Sequence, residues 1–380
     1  MDSWIYLDNN ATTPLLPAVW DAMRPYAVEA YGNPASAHAF GRRARRGLED
    51  AREQAAALLG AHPDELVFTS GATEANNLAL FGLSGDPPGR LVASPVEHPS
   101  VIEPLNQLAA AGFTVEWLPV DGQGVVSPAG INPAAGLVAV MLANHETGAV
   151  QPVCALAEWA DGAAFHCDAT QAVGKMPVHF HELGVTSLSL SAHKFHGPKG
   201  VGALLLRRGA KLRPRTWGGH QQAGRRPGTE SAALAVGLAA ALDLACRDMQ
   251  RRTTVVRSLR ERMLTGLHGS AAPLTLNGPA EGGLPHTVSV SFPGLKADAL
   301  LMALDLAGVA CSAGSACSSG SLLPSPVLRA MGVPDAVLHS AARFSLSALL
   351  TPADIDEAVR RIAAAVRRLR QNLPAAQARD

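Results

Sequence analysis

The chain has 380 residues, of which 47% are hydrophobic and 17% charged, and this composition describes a globular protein with a large core. That length is enough for two packed domains, or for one large domain with an appendage. The 32 basic and 32 acidic residues cancel, which argues against a nucleic acid or a membrane surface as the main partner.

The lack of a recognisable targeting signal and the pattern of cysteines both favour a cytoplasmic protein. The N-terminus has no basic region followed by an apolar run, and no apolar stretch reaches the ~18 residues of a membrane span. The five cysteines form no C-x-x-C pair, so neither a disulfide framework nor a structural zinc site is expected. We therefore expect a cytoplasmic protein with reduced thiols.

The first half of the chain alternates short apolar runs with helical patterns. Helices are predicted over 72–83 and 101–112. Strands that alternate with helices at this spacing predict right-handed crossovers and an open, mainly parallel α/β sheet. The predicted strands cover 65–70, 90–94, 114–120, 137–142, 163–168, 187–192 and 201–207.

The pattern of predicted helices and strands changes near Thr229. Residues 230–267 form one long helical pattern, and 287–292 alternate like a half-buried strand. A helix over 351–371 begins with Thr at the N-cap, Pro at the first helical position and an acid three residues after the cap. These features predict a second, smaller α/β domain from about residue 250 to the end.

The segment TSGATEANNLAL (69–80) passes from a strand through a Ser-Gly turn into a helix that opens at Ala72 and Thr73. Free backbone N–H groups and the helix dipole at that point favour an anion, above all a phosphate. The segment is neither a P-loop nor a G-x-G-x-x-G fingerprint, which weakens a nucleotide interpretation. An ordinary βα turn remains the alternative.

Asp168 follows a mostly apolar strand, at the edge where open α/β sheets bind their ligands. A carboxylate buried there needs a cationic partner or several hydrogen-bond donors. The alternative is an N-cap for the segment that follows.

Lys194 ends a strand of serines and leucines and lies between His193 and His196. The chain has only five lysines, and lysine is rarely buried without a partner. A lysine desolvated near other cationic groups becomes a Schiff-base nucleophile. The alternatives are a surface lysine and, for the two histidines, a metal pair, although their spacing suits a helix better than a strand.

The stretch GVACSAGSACSSGS (308–321) holds Cys311 and Cys317 among small residues that cannot build a core. It therefore predicts a mobile thiol. Pyridoxal phosphate offers a protein three groups to bind, which are a phosphate, a protonated ring nitrogen and an aldehyde. The predicted anion site at Ala72 and Thr73, together with Asp168 and Lys194, matches these three groups.

Ten motifs in order resemble those of the cysteine desulfurases, which are pyridoxal-phosphate enzymes of the aminotransferase class V family. The resemblance runs nearly end to end. Its motifs are YLDNNATTP (6–14), YGNPASAHAFGRRA (31–44), TSGATEANNLAL (69–80), VEHPSV (96–101), NHETGAVQP (144–152), DATQAVGK (168–175), SAHKFHGPKG (191–200), RRPGTES (225–231), SAGSACSSGS (312–321) and ARFSLS (342–347).

The resemblance implies the fold of the fold-type-I pyridoxal-phosphate transferases. A large cofactor domain would cover 14–250, and a smaller α/β domain would combine 1–13 with 251–380 and carry the cysteine loop at about 308–321. The implied reaction converts L-cysteine to L-alanine and passes the sulfur, as an enzyme persulfide, to iron–sulfur assembly or another acceptor or scaffold protein. A homodimer with shared sites is also implied.

The resemblance assigns roles residue by residue. Lys194 would bind the cofactor aldehyde and move the Cα proton, and His98 would stack on the ring and assist proton transfer. Asp168 would pair with the ring nitrogen and Gln171 with the ring hydroxyl, while Cys317 would attack the substrate sulfur. The other implied contacts are Ala72, Thr73, Ser191 and His193 to the phosphate, Thr229 to the neighbouring subunit's phosphate, and Arg343 and Asn144 to the substrate.

Two positions depart from the family pattern. His145 takes the place of an asparagine that contacts the cofactor, and a histidine ring nitrogen could still donate there. Cys311 stands where the family more often has a small or β-branched residue, and we interpret it as a small buried hydrophobe rather than a second reactive thiol.

Other functions fit parts of the pattern. A selenocysteine lyase or another class V aminotransferase-type enzyme would share the fold, although an aminotransferase needs no mobile thiol. A degenerate relative that only scaffolds a sulfur pathway would not need the lysine, the acid and the thiol together.

Overall fold

A computed structural model describes residues 4–160, 162–313 and 324–372. Each predicted apolar run between residues 65 and 207 contains a strand. The strands are β1 (Ile5–Tyr6), β2 (Leu66–Thr69), β3 (Arg90–Ala93), β4 (Thr114–Trp117), β5 (Leu137–Ala139), β6 (Ala164–Asp168), β7 (Ser187–Ser191), β8 (Gly202–Leu206), β9 (Thr275–Leu276), β10 (Thr287–Ser291), β11 (Val309–Ala310) and β12 (Ala341–Ser345).

Five of the eleven helices in the described residues begin after a residue whose side chain accepts a hydrogen bond from the first turn. Before the C-terminal helix, the Thr351 hydroxyl accepts from the Asp354 N–H (3.2 Å), and the Asp354 carboxylate accepts from the Thr351 N–H (2.8 Å), which is the predicted capping box. The helices are α1 (Pro17–Val28), α2 (Ala39–Leu58), α3 (Ala72–Leu83), α4 (Pro99–Ala110), α5 (Val153–Trp159), α6 (Ala232–Arg247), α7 (Met249–Ser270), α8 (Ala297–Leu306), α9 (Pro326–Ala330), α10 (Asp335–Leu338) and α11 (Pro352–Gln371).

Seven of these strands form the central sheet, in the order β2-β8-β7-β6-β5-β3-β4. Neighbours from β7 through β4 are parallel, whereas β8 runs antiparallel to both β7 and β2. The prediction of a mainly parallel α/β sheet is therefore confirmed. The chain leaves β3 for the edge strand β4 and returns on the other side of β3 as β5. This reversal opens a crevice at the carboxyl ends of β3 and β5, where such sheets bind ligands.

Two hydrophobic cores lie in different parts of the chain. The first packs α1, α2 and α6 against the central sheet and draws on residues 19–284. The second packs α7, α8 and α11 against the antiparallel sheet β12-β10-β9, and draws on Ile5, Leu7 and residues 256–366. These cores support the division into 14–250 and 1–13 with 251–380, which stays a prediction.

Two sequence expectations for the C-terminal part were wrong in detail. The long helical pattern over 230–267 is two helices that meet at Asp248, whose backbone (φ −95°, ψ 4°) leaves the α region. The strand β10 is buried on both faces, because its polar residues Thr287 and Ser289 are covered by Asn10 and Asn277. None of the helices in the described residues is long and apolar enough to cross a bilayer.

Candidate active site

A cavity of about 580 Å³ lies at the carboxyl ends of β5, β6 and β7. Polar side chains enter it from the last residues of the buried strands, such as Asp168 and Ser191, and from the turns that follow the strands. Ten of the thirteen site residues predicted from the sequence line this cavity, namely Ala72, Thr73, His98, His145, Asp168, Gln171, Ser191, His193, Lys194 and Arg343.

The start of α3 forms an anion cradle on one wall of the cavity. The first bond of the helix runs from the Ala75 N–H to the Gly71 carbonyl (3.1 Å), so the N–H groups of Ala72 and Thr73 have no partner within the helix. Gly202 lets β8 approach closely, since a Cβ there would lie 2.8 Å from the Gly71 backbone. The cradle has the geometry that phosphate groups use at helix N-termini.

Ser191 and His193 form the facing side of this cradle. The Nδ1 of His193 is hydrogen-bonded with the Thr12 hydroxyl at 3.1 Å. Burial, reinforced by the nearby charge of Lys194, lowers the pKa of His193 to about 4. The ring is therefore neutral near pH 7 and can bind an anion only by hydrogen bonding, which leaves the exposed Lys199 as the cation at the rim.

Asp168 ends β6 with its carboxylate held on both oxygens. Oδ1 accepts from the Thr170 N–H (2.9 Å), and Oδ2 accepts from the Asn76 amide (2.8 Å). The first bond is the turn-capping role that was the alternative interpretation of Asp168. The second bond fixes the plane of a carboxylate that is 6% exposed and lines the cavity.

Lys194 follows β7 and extends into the cavity rather than over the surface. Its ammonium donates to the Asn10 carbonyl (2.5 Å) and to the Ala11 carbonyl (3.0 Å). Gln171 also donates to the Asn10 carbonyl (3.0 Å) and accepts at Oε1 from Lys175 (2.6 Å). Lys175 thereby fixes which end of the Gln171 amide is available as a donor.

His98 and His145 meet edge to face in the cavity, with ring centroids 5.3 Å apart. Nδ1 of His98 accepts from the Ser100 N–H (3.1 Å), so a neutral His98 carries its proton on Nε2. Burial, and secondarily the nearby His98 and Arg343, lower the pKa of His145 well below its usual range. Within the described residues, the buried Nδ1 of His145 has no hydrogen-bond partner.

Arg343 on β12 is 1% exposed and brings a fixed guanidinium to the cavity. Nη2 donates to Asp8 (3.1 Å), and Nη1 donates to the His145 carbonyl (3.1 Å). Its buried Nε has no partner among the described residues. The guanidinium therefore keeps its Nε–H, together with the second hydrogen of each Nη, for an anionic ligand.

Among the described residues, Asn144 and Thr229 are the predicted site residues that do not line the cavity. Asn144 donates to the Val96 carbonyl (2.9 Å) and accepts from the N–H groups of its own turn, so a substrate contact would require one of these bonds to break. Thr229 is exposed, as expected of a residue predicted to serve a neighbouring subunit. Cys317 lies outside the described residues.

Cys311, the second cysteine of the same segment, packs at the edge of the second core. Burial, with a smaller contribution from Asp8, raises the pKa of its thiol to about 12. A thiol with that pKa is not a nucleophile near neutral pH, which agrees with its interpretation as a small hydrophobe.

A buried polar network behind Asp168 was missed by the sequence analysis. Besides Asp168, the Asn76 amide donates to the Ser100 hydroxyl (2.8 Å), and its Oδ1 is hydrogen-bonded with His166 Nε2 (2.9 Å). The Ser100 hydroxyl lies 2.8 Å from His98 Nδ1. Asn76 thus connects the predicted ring-nitrogen partner with the predicted stacking histidine. The only signal in the sequence is a polar residue on the buried face of α3.

Glu146 follows His145 in the same turn and is 2% exposed. Burial raises the pKa of its carboxyl from 4.5 to about 7, opposed by a hydrogen bond from the Ser325 hydroxyl and by Arg343. The folded protein therefore binds this proton more tightly than the unfolded chain does. The resulting stability is complete below the unfolded pKa of 4.5 and is lost as the pH rises through about 7.

Glu146→Gln removes this titration and keeps an oxygen that can accept from Ser325. Relative to the variant, the wild type should lose up to about 3 kcal/mol of stability between about pH 4.5 and pH 7. Thermal unfolding midpoints of the two proteins across this range check the expectation. The difference between the two midpoints should grow in favour of Glu146→Gln as the pH rises and then become constant. A difference that does not depend on pH would contradict the expectation.

A separate cluster lies away from the cavity, where His62, Glu65 and His181 bring one possible metal-ligand atom each within 4.8 Å of the others. The Glu65 carboxylate already accepts from the His62 N–H (2.8 Å) and pairs with the His181 ring (2.7 Å). His193 and His196 do not form the metal pair considered above, since their rings bond to different partners. The absence of a metal stays a prediction.

Comparison with known proteins identifies the family. The Aminotransferase class-V family model matches residues 5–358. The chain belongs to the aminotransferase class-V family. This class-V protein is 41% identical over 361 residues to a protein named cysteine desulfurase IscS from Dictyoglomus turgidum, covering 93% of this chain and 92% of that relative.

Solved structures agree on the fold. A NifS-like protein superposes on this class-V protein with a TM-score of 0.89 at 35% identity, covering 95% of this chain and 98% of the other. SspA in complex with cysteine superposes with a TM-score of 0.81 at 32% identity, covering 90% and 98%. The predicted family and the fold-type-I class are thus both confirmed.

Proposed function

We propose that this chain is a pyridoxal-phosphate-dependent cysteine desulfurase. One observation carries the proposal. Six buried side-chain nitrogen or oxygen atoms in the described residues have no hydrogen-bond partner, and four of them belong to residues that line the one cavity holding Lys194 and Asp168. Unpaired buried polar atoms are costly, so their concentration here supports a polar ligand at this position. The four are Asn10 Oδ1, His145 Nδ1, Thr170 Oγ1 and Arg343 Nε.

The residues present fit pyridoxal phosphate. The N–H groups of Ala72 and Thr73, with Ser191 and His193, would hold the phosphate, and Asp168 would hold the ring nitrogen. Gln171 would face the ring hydroxyl with the N–H end of its amide, because Lys175 occupies the other end. When bound, this cofactor supplies an electron sink that labilises bonds at the substrate's Cα and Cβ.

The chain's own groups orient the substrate and move protons. Arg343 would bind the substrate carboxylate through its free Nε–H and one Nη, in the fork geometry that favours carboxylates. Lys194 would carry the proton between Cα and Cβ. His98, whose pKa is lowered by burial, is available as a neutral Nε2–H donor beside it.

The sulfur step balances without an external oxidant. The thiolate of Cys317 attacks the substrate sulfur, the Cβ–S bond breaks as the S–S bond forms, and Cβ takes up a proton. One L-cysteine and one enzyme thiol thereby give one L-alanine and one enzyme persulfide. The sulfur is oxidised to the persulfide level while the Cβ carbon is reduced. The solved relative named SspA in complex with cysteine supports cysteine as the substrate.

The proposal also covers the oligomeric state of the enzyme and the protein that accepts its sulfur. A cytoplasmic homodimer would place Thr229 at its neighbour's cradle, and Arg226, three residues earlier, is tied to Glu74 at the start of α3 (2.7 Å). An acceptor or scaffold protein for iron–sulfur assembly would receive the persulfide sulfur.

Product analysis tests this function against its alternatives. The purified protein with pyridoxal phosphate should form alanine from L-cysteine, without any added 2-oxo acid, and this is measured by mass spectrometry of the amino acids. A requirement for a 2-oxo acid would point to an aminotransferase. Turnover of L-selenocysteine but not of L-cysteine would point to a selenocysteine lyase.

A further inference from the structure

A second and much smaller cavity, of about 40 Å³, lies where the two cores meet. We name it the junction cavity. It shares Lys194 with the candidate active site but is otherwise separate from the groups assigned there. Its polar lining includes Thr13, Lys175, Lys194, His196, Arg252 and His286.

The lining of the junction cavity is strongly cationic. It contains two lysines and one arginine, and no aspartate or glutamate is among the described residues that line it. Lys175 bonds to the neutral amide of Gln171, and Lys194 bonds to two backbone carbonyls. The guanidinium of Arg252 makes no hydrogen bond or ion pair within the described part of the chain. Lys175 and Arg252 are half-buried and make no ion pair within the described residues, although the charge of Asp248 acts on Arg252 from outside the cavity lining.

His286 provides a second, independent sign of a ligand. Its ring is 6% exposed, it lines the junction cavity, and its Nε2 has no hydrogen-bond partner in the described residues. Burial, followed by the charges of Lys175 and Arg252, lowers the pKa of His286 well below its usual range. A neutral imidazole in this position can offer an N–H to a bound group.

We propose that the junction cavity binds one small inorganic anion of the size of chloride. Lys175 and Arg252 supply the charge, and His286 supplies a neutral donor. The volume suits such an ion, since about 10–15 Å³ is enough for a single water molecule. Water is the poorer occupant, because it brings no negative charge to Lys175 and Arg252, and the carboxylate whose charge acts on Arg252, Asp248, is already paired with Arg251.

An anion at this position would stabilise the charged form of Lys175. Burial and the neighbouring Lys194 and Arg252 otherwise lower the pKa of Lys175 well below its usual range. Because Lys175 fixes the Gln171 amide, the ion would also support the donor that faces the candidate active site.

Bromide is the probe, applied to the holoenzyme. Crystals soaked in sodium bromide should give an anomalous difference peak in the junction cavity. In solution, replacing sodium gluconate with about 100 mM sodium bromide at constant ionic strength should raise the unfolding midpoint by about 1–3 °C. Gluconate serves as the reference anion because it is too large to enter.

Arg252→Met should abolish both signals, and Arg252→Lys should retain part of each. Arg257→Met is the matched control, since Arg257 is exposed on the same helix and does not line the junction cavity. This control variant should give both bromide signals, as the wild type does. An occupied cavity without anomalous signal, which means water, would overturn the proposal. Bromide binding or stabilisation that persists unchanged in Arg252→Met would overturn it equally.

Discussion

Lys194→Ala should lower the rate of alanine formation from L-cysteine by about 10⁴-fold or more, because it removes the group proposed both to bind the cofactor and to move the substrate proton. The variant should fold, since Lys194 lies after β7 and takes no part in the strand pairing of the central sheet. Borohydride reduction followed by mass analysis should find pyridoxal phosphate attached to the wild type and not to the variant.

Lys211→Ala is the control for this experiment. Lys211 is exposed and does not line the cavity, so its loss should leave both turnover and attachment unchanged. Cofactor still fixed covalently in Lys194→Ala would assign the role to another lysine, and Lys175 would be the first to examine because its neighbour Gln171 lines the cavity.

Asp168→Asn should keep pyridoxal phosphate bound and lower turnover by about 10²- to 10³-fold, the range typical of losing one preorganised electrostatic contact. The neutral amide no longer favours a proton on the ring nitrogen, so the electron sink weakens. The fold should survive the loss of one buried hydrogen bond, because the asparagine oxygen can still accept from Thr170, while its NH2 group faces the Asn76 amide without a bond.

Two readouts separate this effect from misfolding. The cofactor content of Asp168→Asn should remain close to that of the wild type and its thermal unfolding midpoint should fall by only about a few degrees, while kcat falls. Unchanged turnover in a variant that holds its full cofactor would contradict the role given to Asp168.

The sequence predicted the parts of the site that depend on strand ends and helix starts. Asp168 and Lys194 follow apolar runs, and Ala72 and Thr73 begin a helix, so their convergence follows from the geometry of a parallel sheet. The family resemblance then supplied roles for His98 and Arg343, which no local pattern could place. Arg343 comes from β12 in the second core, and only the fold brings it to the cavity.

The sequence could not predict contacts that depend on which way a side chain turns. Asn144 was given to the substrate, yet its amide closes its own turn, whereas its neighbour His145 faces the cavity. The Asn76 network was missed because an asparagine on a helix gives no periodic signal of its partners. The break at Asp248 was missed because both flanking segments have good helical patterns, and the bend between them is required by the packing of two cores.

The most direct test of the proposed reaction is the location of the transferred sulfur. The protein is treated with one equivalent of L-cysteine in the absence of added thiol, then alkylated, digested and mapped by mass spectrometry. We expect one additional sulfur atom on Cys317 and none on Cys311, whose thiol stays protonated because of its raised pKa of about 12. A Cys317→Ala protein that still releases sulfide from L-cysteine at the wild-type rate, or additional sulfur found only on another cysteine, would contradict the account.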